Sequence, residues 1–120
     1  MANILIVDDS RTSRKILRNI LEENGMNIVG EAVNGVEAIS QYEALKPDVV
    51  TLDITMPVMD GVAALKEIMK MDPKAKVIMV TAAGQKGNVV EALKLGAFEF
   101  VTKPYEEDVI LDVFKKALGA

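Results

Sequence analysis

Five short apolar runs alternate with longer amphipathic segments along this chain, and that alternation restricts the fold more than any other feature. The runs are Ile4–Val7, Asn27–Gly30, Val49–Leu52, Val77–Val80 and Phe98–Val101. Most are unbroken rather than alternating, the pattern of parallel strands covered on both faces. The segments between them repeat with helical period. Ile16, Leu17, Ile20 and Leu21 make one stripe; Val62, Leu65, Ile68 and Met69 make a second; Val109, Ile110, Val113, Phe114 and Ala117 make the last. Segments 35–46 and 86–95 carry the same period more weakly. Gly25, Gly96 and Gly119 fall where helices stop, and Pro47 and Pro73 fall in connections. A (βα)5 alternation predicts an α/β fold, a doubly wound, five-stranded parallel sheet with helices on both faces. With 120 residues, no linker and no low-complexity stretch, the expectation is one domain over residues 1–120 with no output domain.

Composition enters through what it removes. The chain has no cysteine and no histidine. Disulfides, thiolate metal sites, histidine triads and the usual zinc sites are therefore excluded. The net charge is −4 and no Lys/Arg block appears, so no direct nucleic-acid partner is expected. No apolar run approaches the ~20 residues of a membrane helix, and "MANILIV" lacks the features of a signal peptide. The expectation is a cytoplasmic protein without membrane insertion.

In open parallel sheets, ligands bind beyond the carboxyl ends of the strands, where strand order reverses. The first run ends in Asp8 and Asp9, the third in Asp53, the fourth in Thr81 and the fifth in Lys103, followed by Pro104. The second offers Glu31 near its end, a residue assigned a peripheral place. Clustered carboxylates resist joint ionisation unless a cation joins them. Mg2+ suits such a set, because it takes one or two carboxylates, waters and a phosphate oxygen. Lys103 adds a second positive charge and Thr81 a hydroxyl donor. Asp8 and Asp9 are adjacent and suited to hold metal together. Asp53 stands alone between that pair and Lys103, and is the better nucleophile toward phosphorus.

Taken singly, these residues have plainer readings. Asp8, Asp9 or Ser10 suits the cap of the first helix. Thr81 suits a strand end, Phe100 a core, and Asp60–Gly61 a turn. Glu106, Glu107 and Asp108 suit the acidic first turn of the last helix.

The segments "LIVDDS", "DITMPVMDG", "VTAAG" and "FVTKPY" occur in the order and spacing of a known family. With them the chain resembles the receiver domain of bacterial two-component response regulators, over essentially its whole length. It is most similar to the short, stand-alone chemotaxis regulators. The resemblance implies the flavodoxin-like strand order 2-1-3-4-5. It implies that Asp53 is the phosphoacceptor, served by a histidine kinase. Asp8, Asp9, Asp53 and the backbone carbonyl of Thr55 would hold Mg2+. Lys103 would pair with the phosphoryl group, and the Thr81 hydroxyl would move toward it. Phe100 takes the place of the aromatic switch, without the hydroxyl that many relatives carry there. The Lys103–Pro104 bond is typically cis in the family. Thr55 and Ala83 occupy positions at which receivers vary.

Together these imply a signalling switch rather than an enzyme, acting as a monomer. Its partner face is made by the fourth helix, fifth strand and fifth helix, with the flagellar motor switch as the expected partner. Other readings remain beside it: a phosphorelay intermediate, the receiver half of a longer transcriptional regulator, and a Mg2+-dependent aspartyl-phosphate phosphatase. One large phosphatase family has a second acid two residues after its nucleophile, and Asp53-Ile54-Thr55 lacks it.

Overall fold

The computed structural model describes residues 1–82 and 86–119. Five strands and five helices alternate: β1 Asn3–Val7, α1 Arg11–Glu23, β2 Asn27–Ala32, α2 Gly35–Leu45, β3 Val49–Asp53, α3 Gly61–Met71, β4 Val77–Thr81, α4 Lys86–Lys94, β5 Glu99–Thr102 and α5 Glu107–Ala117. The strands form one sheet in the order β2-β1-β3-β4-β5, and every neighbouring pair is parallel. Fold class and strand order are therefore as expected.

Period-two alternation along the strands divides the core in two. Leu5, Val7, Val50, Leu52, Val77 and Met79 pack with Ala38 and Tyr42 of α2, Ala64, Leu65 and Ile68 of α3, and Val89 and Ala92 of α4. Ile4, Ile6, Val49, Ile78, Val80 and Val101 pack with Leu17 and Leu21 of α1 and with Ile110, Val113, Phe114 and Ala117 of α5. Each central strand is thus apolar on both faces, which is why its sequence reads as an unbroken run. Phe114 is fully buried in the second layer, and truncation to alanine there is expected to cost about 3–5 kcal/mol.

Local signals end the helices where expected. Gly25, Gly96 and Gly119 all adopt positive φ just beyond α1, α4 and α5. Ser10 caps α1, its Oγ accepting the Ser13 N–H at 3.2 Å. Asp60, expected in a turn, caps α3 by accepting the Ala63 N–H at 2.8 Å. Glu107 and Asp108 occupy the first turn of α5 as expected, whereas Glu106 stands one residue earlier, at the N-cap, without a side-chain cap bond.

Two expected stripe residues, Ile16 and Val109, are 46% and 44% exposed. They lie at the edges of their stripes, where the sheet does not reach. β2 runs to Ala32 rather than stopping at Gly30, because Glu31 and Ala32 continue the pairing with Ile6 and Val7 after an irregularity at Ile4/Leu5. β5 begins at Glu99, one residue after the apolar run begins, although Phe98 already donates its N–H to the Val77 carbonyl.

The order places the reversal between β1 and β3. From β1 the chain moves outward to β2, and α2 carries it back to the other side. A crevice opens at the carboxyl ends of these two strands, where α1 and α3 begin.

Candidate functional site

Backbone bonds extend the strand ladders past the strand ends and fix the crevice. The Asp8 N–H donates to the Ala32 carbonyl at 3.0 Å, and the Ile54 N–H to the Val80 carbonyl at 3.0 Å. The Lys103 N–H donates to the Thr81 carbonyl at 2.9 Å. Asp8, Asp53 and Lys103 are thereby held by the sheet itself rather than by free loops. Gly61 bonds back to the Ile54 carbonyl at 2.8 Å, and a Cβ at Gly61 would overlap the Asp53 carbonyl. Only glycine lets α3 start this close to the tip of β3.

The expected acids meet here. Each of Asp8, Asp9 and Asp53 offers a carboxylate oxygen, and these atoms lie within 4.8 Å of one another. Asp8 and Asp53 are buried while Asp9 is exposed, so the cluster opens to solvent on one side. Lys103 Nζ stands 2.9 Å from Asp8 Oδ2 and 3.7 Å from Asp53 Oδ2. The other Asp8 oxygen accepts the Ser10 N–H at 2.8 Å.

These surroundings push the Asp53 carboxyl from its ordinary 3.8 up to about 7. Burial is the largest cause and the charge of Asp8 the next. Lys103 opposes them, while hydrogen bonding with Asp8 and the charge of Asp9 add to the rise. One ammonium does not balance three carboxylates. The donor set, hard oxygens converging on one open point with excess negative charge, fits a divalent cation such as Mg2+.

Thr81, the last residue of β4, is buried, and its hydroxyl donates to the Ala82 carbonyl at 3.0 Å. Ala83 lies outside the described residues. Thr55 is exposed in the loop after β3 and lines a polar cleft of about 450 Å3 with Asp60, Lys66, Asn88 and Glu91. Phe100 is 38% exposed on β5 and borders a separate groove of about 470 Å3 with Pro104, Glu106 and Val109. The Lys103–Pro104 bond is cis.

Three features of the site had no signal strong enough to find them by sequence. Arg14 reaches the backbone of Asp8, and Glu31 is the partner that holds Arg14. Tyr105 lies close enough for Asp8 and Asp53 to add to the rise that burial imposes on its phenol. Val58, in the loop between Asp53 and α3, has a φ of 68° and is 82% exposed. The spacing of Arg14 and Arg18, one helical turn apart, was the one legible clue.

A switch-point sheet with clustered acids, a lysine and a hydroxyl at its carboxyl edge defines a receiver. The family described as the response regulator receiver domain matches residues 4–115, and the chain belongs to it. Among curated proteins it is 50% identical to the chemotaxis protein CheY of Listeria monocytogenes over 98% of both chains. It is 48% identical to CheY of Thermotoga maritima over 94% of both. Its structure matches a chain in the crystal structure of the CheX–CheY–BeF3–Mg2+ complex from Borrelia burgdorferi with a TM-score of 0.94. That match is 40% identical and covers 99% of this chain and 90% of that one. The response regulator domain of Thermotoga maritima CheB matches with a TM-score of 0.91 at 37% identity, covering 100% and 98%. The chain is thus a receiver of two-component signalling, a switch of the chemotaxis type. No helix among the described residues is long and apolar enough to cross a membrane.

Proposed function

We propose that this protein accepts a phosphoryl group on Asp53 from the phosphohistidine of a histidine kinase and, so charged, switches a chemotaxis partner. The observation that carries the proposal is the placement of Asp53. It is buried at the switch point, within 4.8 Å of the Asp8 and Asp9 oxygens and 3.7 Å from Lys103 Nζ. Asp8, Asp9, Asp53 and the Thr55 carbonyl are the residues to hold Mg2+, which when bound supplies charge neutralisation for the phosphoryl oxygens.

An Asp53 carboxylate oxygen attacks phosphorus as the P–N bond of the donor breaks, and the bonding pair leaves on the imidazole nitrogen. Asp53 must be ionised to attack, and Lys103 favours that form. As charge gathers on the phosphoryl oxygens, the Lys103 ammonium follows it from Asp8. The same charge draws the Thr81 hydroxyl away from the Ala82 carbonyl.

That motion vacates space beside β5. Phe100, exposed in this structure, turns inward, and the face formed by α4, β5 and α5 changes shape. Moving such an equilibrium from 1:99 to 99:1 takes about 5.5 kcal/mol of differential stabilisation. This face carries the partner site, and the partner is the flagellar motor switch. A CheX-like protein is a second candidate, by likeness to the Borrelia complex.

Intact mass after incubation with acetyl phosphate, with and without Mg2+, tests the chemistry on wild type and Asp53→Asn. One Mg2+-dependent phosphoryl addition, lost in the variant, is expected. Equal addition to the variant removes Asp53 from the role. Phe100→Ala is expected to phosphorylate normally and to lose phosphorylation-dependent partner binding; unchanged binding would overturn the switch assignment.

A further inference from the structure

Glu31, given a peripheral place near the end of the second run, is the centre of a charged clamp. Its Oε1 accepts from Arg14 Nε at 2.8 Å and its Oε2 from Arg18 Nε at 2.8 Å. The two arginines lie one turn apart on α1 and present the same face to β2. Arg18 continues outward to Glu22 at 3.2 Å. Arg14 continues inward: its Nη1 donates to the Asp8 backbone carbonyl at 2.7 Å. The Arg14 side chain is only 15% exposed.

Asp8 is therefore gripped on three sides. Its N–H is held by Ala32 of β2, its carbonyl by Arg14, and one carboxylate oxygen by the Ser10 N–H. Both the Ala32 bond and the Arg14 clamp depend on the same edge strand, β2. We infer that Arg14, locked by Glu31, is a positioning residue for the divalent-cation site: it fixes the turn that presents Asp8 and Asp9. This rests on the cation reading of the acidic cluster given above.

The chemistry requires arginine. One planar guanidinium meets a carboxylate through Nε and a carbonyl through Nη1 at once, whereas a lysine ammonium is a point donor on a flexible stem. Glu31 has a second effect. It balances a cation that would otherwise stand unpaired beside a site meant for another cation. Charge and geometry therefore predict opposite signs for Arg14→Met. Removal of a nearby positive charge alone would tighten divalent binding. Release of the Asp8 turn weakens it, and outer partners of metal ligands are worth about 10–100-fold in affinity.

Calorimetric titration of the folded full chain with MgCl2 tests this. Arg14→Met and Arg14→Lys are expected to weaken Mg2+ binding about tenfold, with phosphorylation by acetyl phosphate recovering toward wild type when Mg2+ is raised to saturation. Arg18→Met shares the Glu31 partner without reaching Asp8 and is expected to stay within about twofold of wild type. Circular dichroism establishes that each variant is folded, and Arg14→Lys carries the test if Arg14→Met is not. Wild-type binding with Arg14 variants at or above wild-type affinity overturns the positioning role alone. So does an Arg18→Met loss equal to that of Arg14→Lys. No binding by wild type overturns the cation reading beneath it.

Discussion

Asp53→Asn isolates the electrostatic strain built into the site. The wild-type carboxyl sits at about 7 against an ordinary 3.8, chiefly through burial and then through Asp8. Between those pH values the folded chain keeps a proton that the unfolded chain has released. Unfolding free energy therefore falls as pH rises through that window, and the fall ends once the folded-state carboxyl has ionised near pH 7. The span, 7 − 3.8, is about three pH units, and at ~1.36 kcal/mol per unit the loss is at most about 4 kcal/mol. Asparagine keeps the shape and removes the titration. Without divalent ions, the two proteins are expected to be alike near pH 4, with the variant more stable by up to ~4 kcal/mol near pH 8. Urea melts in EDTA followed by circular dichroism provide the assay, since the chain contains no tryptophan. Saturating Mg2+ should then narrow or reverse the gap, because a ligand that binds only the folded acid cluster stabilises it by mass action. Wild-type and variant curves that run parallel from acid to neutral pH in EDTA would refute this reasoning.

Other perturbations test separate parts of the structure by the same melts. Thr51 is buried with no hydrogen-bond partner for its hydroxyl among the described residues, in register with Ile6 and Ile78. Thr51→Val is expected to stabilise by about 1–2 kcal/mol, and a loss would point to a partner for that hydroxyl. Val58 is a β-branched residue at positive φ, bracketed by a 2.7 Å bond from the Met59 N–H to the Pro57 carbonyl. Val58→Gly is expected to gain on the order of 0.5–1 kcal/mol, the relief of left-handed strain less the entropy of glycine. Gly61→Ala drives a methyl into the Asp53 carbonyl, and should lose about 1–3 kcal/mol and weaken Mg2+ binding in calorimetry.

The fold was legible because its sheet is buried on both faces. Val49, Val50 and Leu52 read as one apolar run since alternate residues serve opposite layers. Acids at the ends of such runs had no core to join, so Asp8 and Asp53 stood out as site residues. Strand order needed the resemblance, because hydrophobic period does not say which run lies beside which. The edges were read less well. Glu31 and Ala32 extend β2 without an apolar signal, and Ile16 and Val109 continue helical stripes beyond the surface that covers them. The clamp from Arg14 to Glu31 spans 17 positions, and no local pattern records a partner at that distance. Nor does an exposed valine announce a left-handed turn, which is set by how the loop closes onto α3.

The site is assembled from both ends of the chain, and this has a consequence for its biosynthesis. All three acids lie within the first 53 residues, while Lys103 follows Asp53 by 103 − 53 = 50 positions. A ribosome therefore releases the negative charge well before its internal counter-ion. The ammonium that stands 2.9 Å from Asp8 Oδ2 in the folded chain is thus a late arrival, and the three carboxylates are made without it. The acids belong to the first half of the chain, whereas Lys103 and the aromatic of β5 arrive with the last quarter. A chain stalled or cleaved ahead of β5 would thus carry the three acids with neither Lys103 nor Phe100.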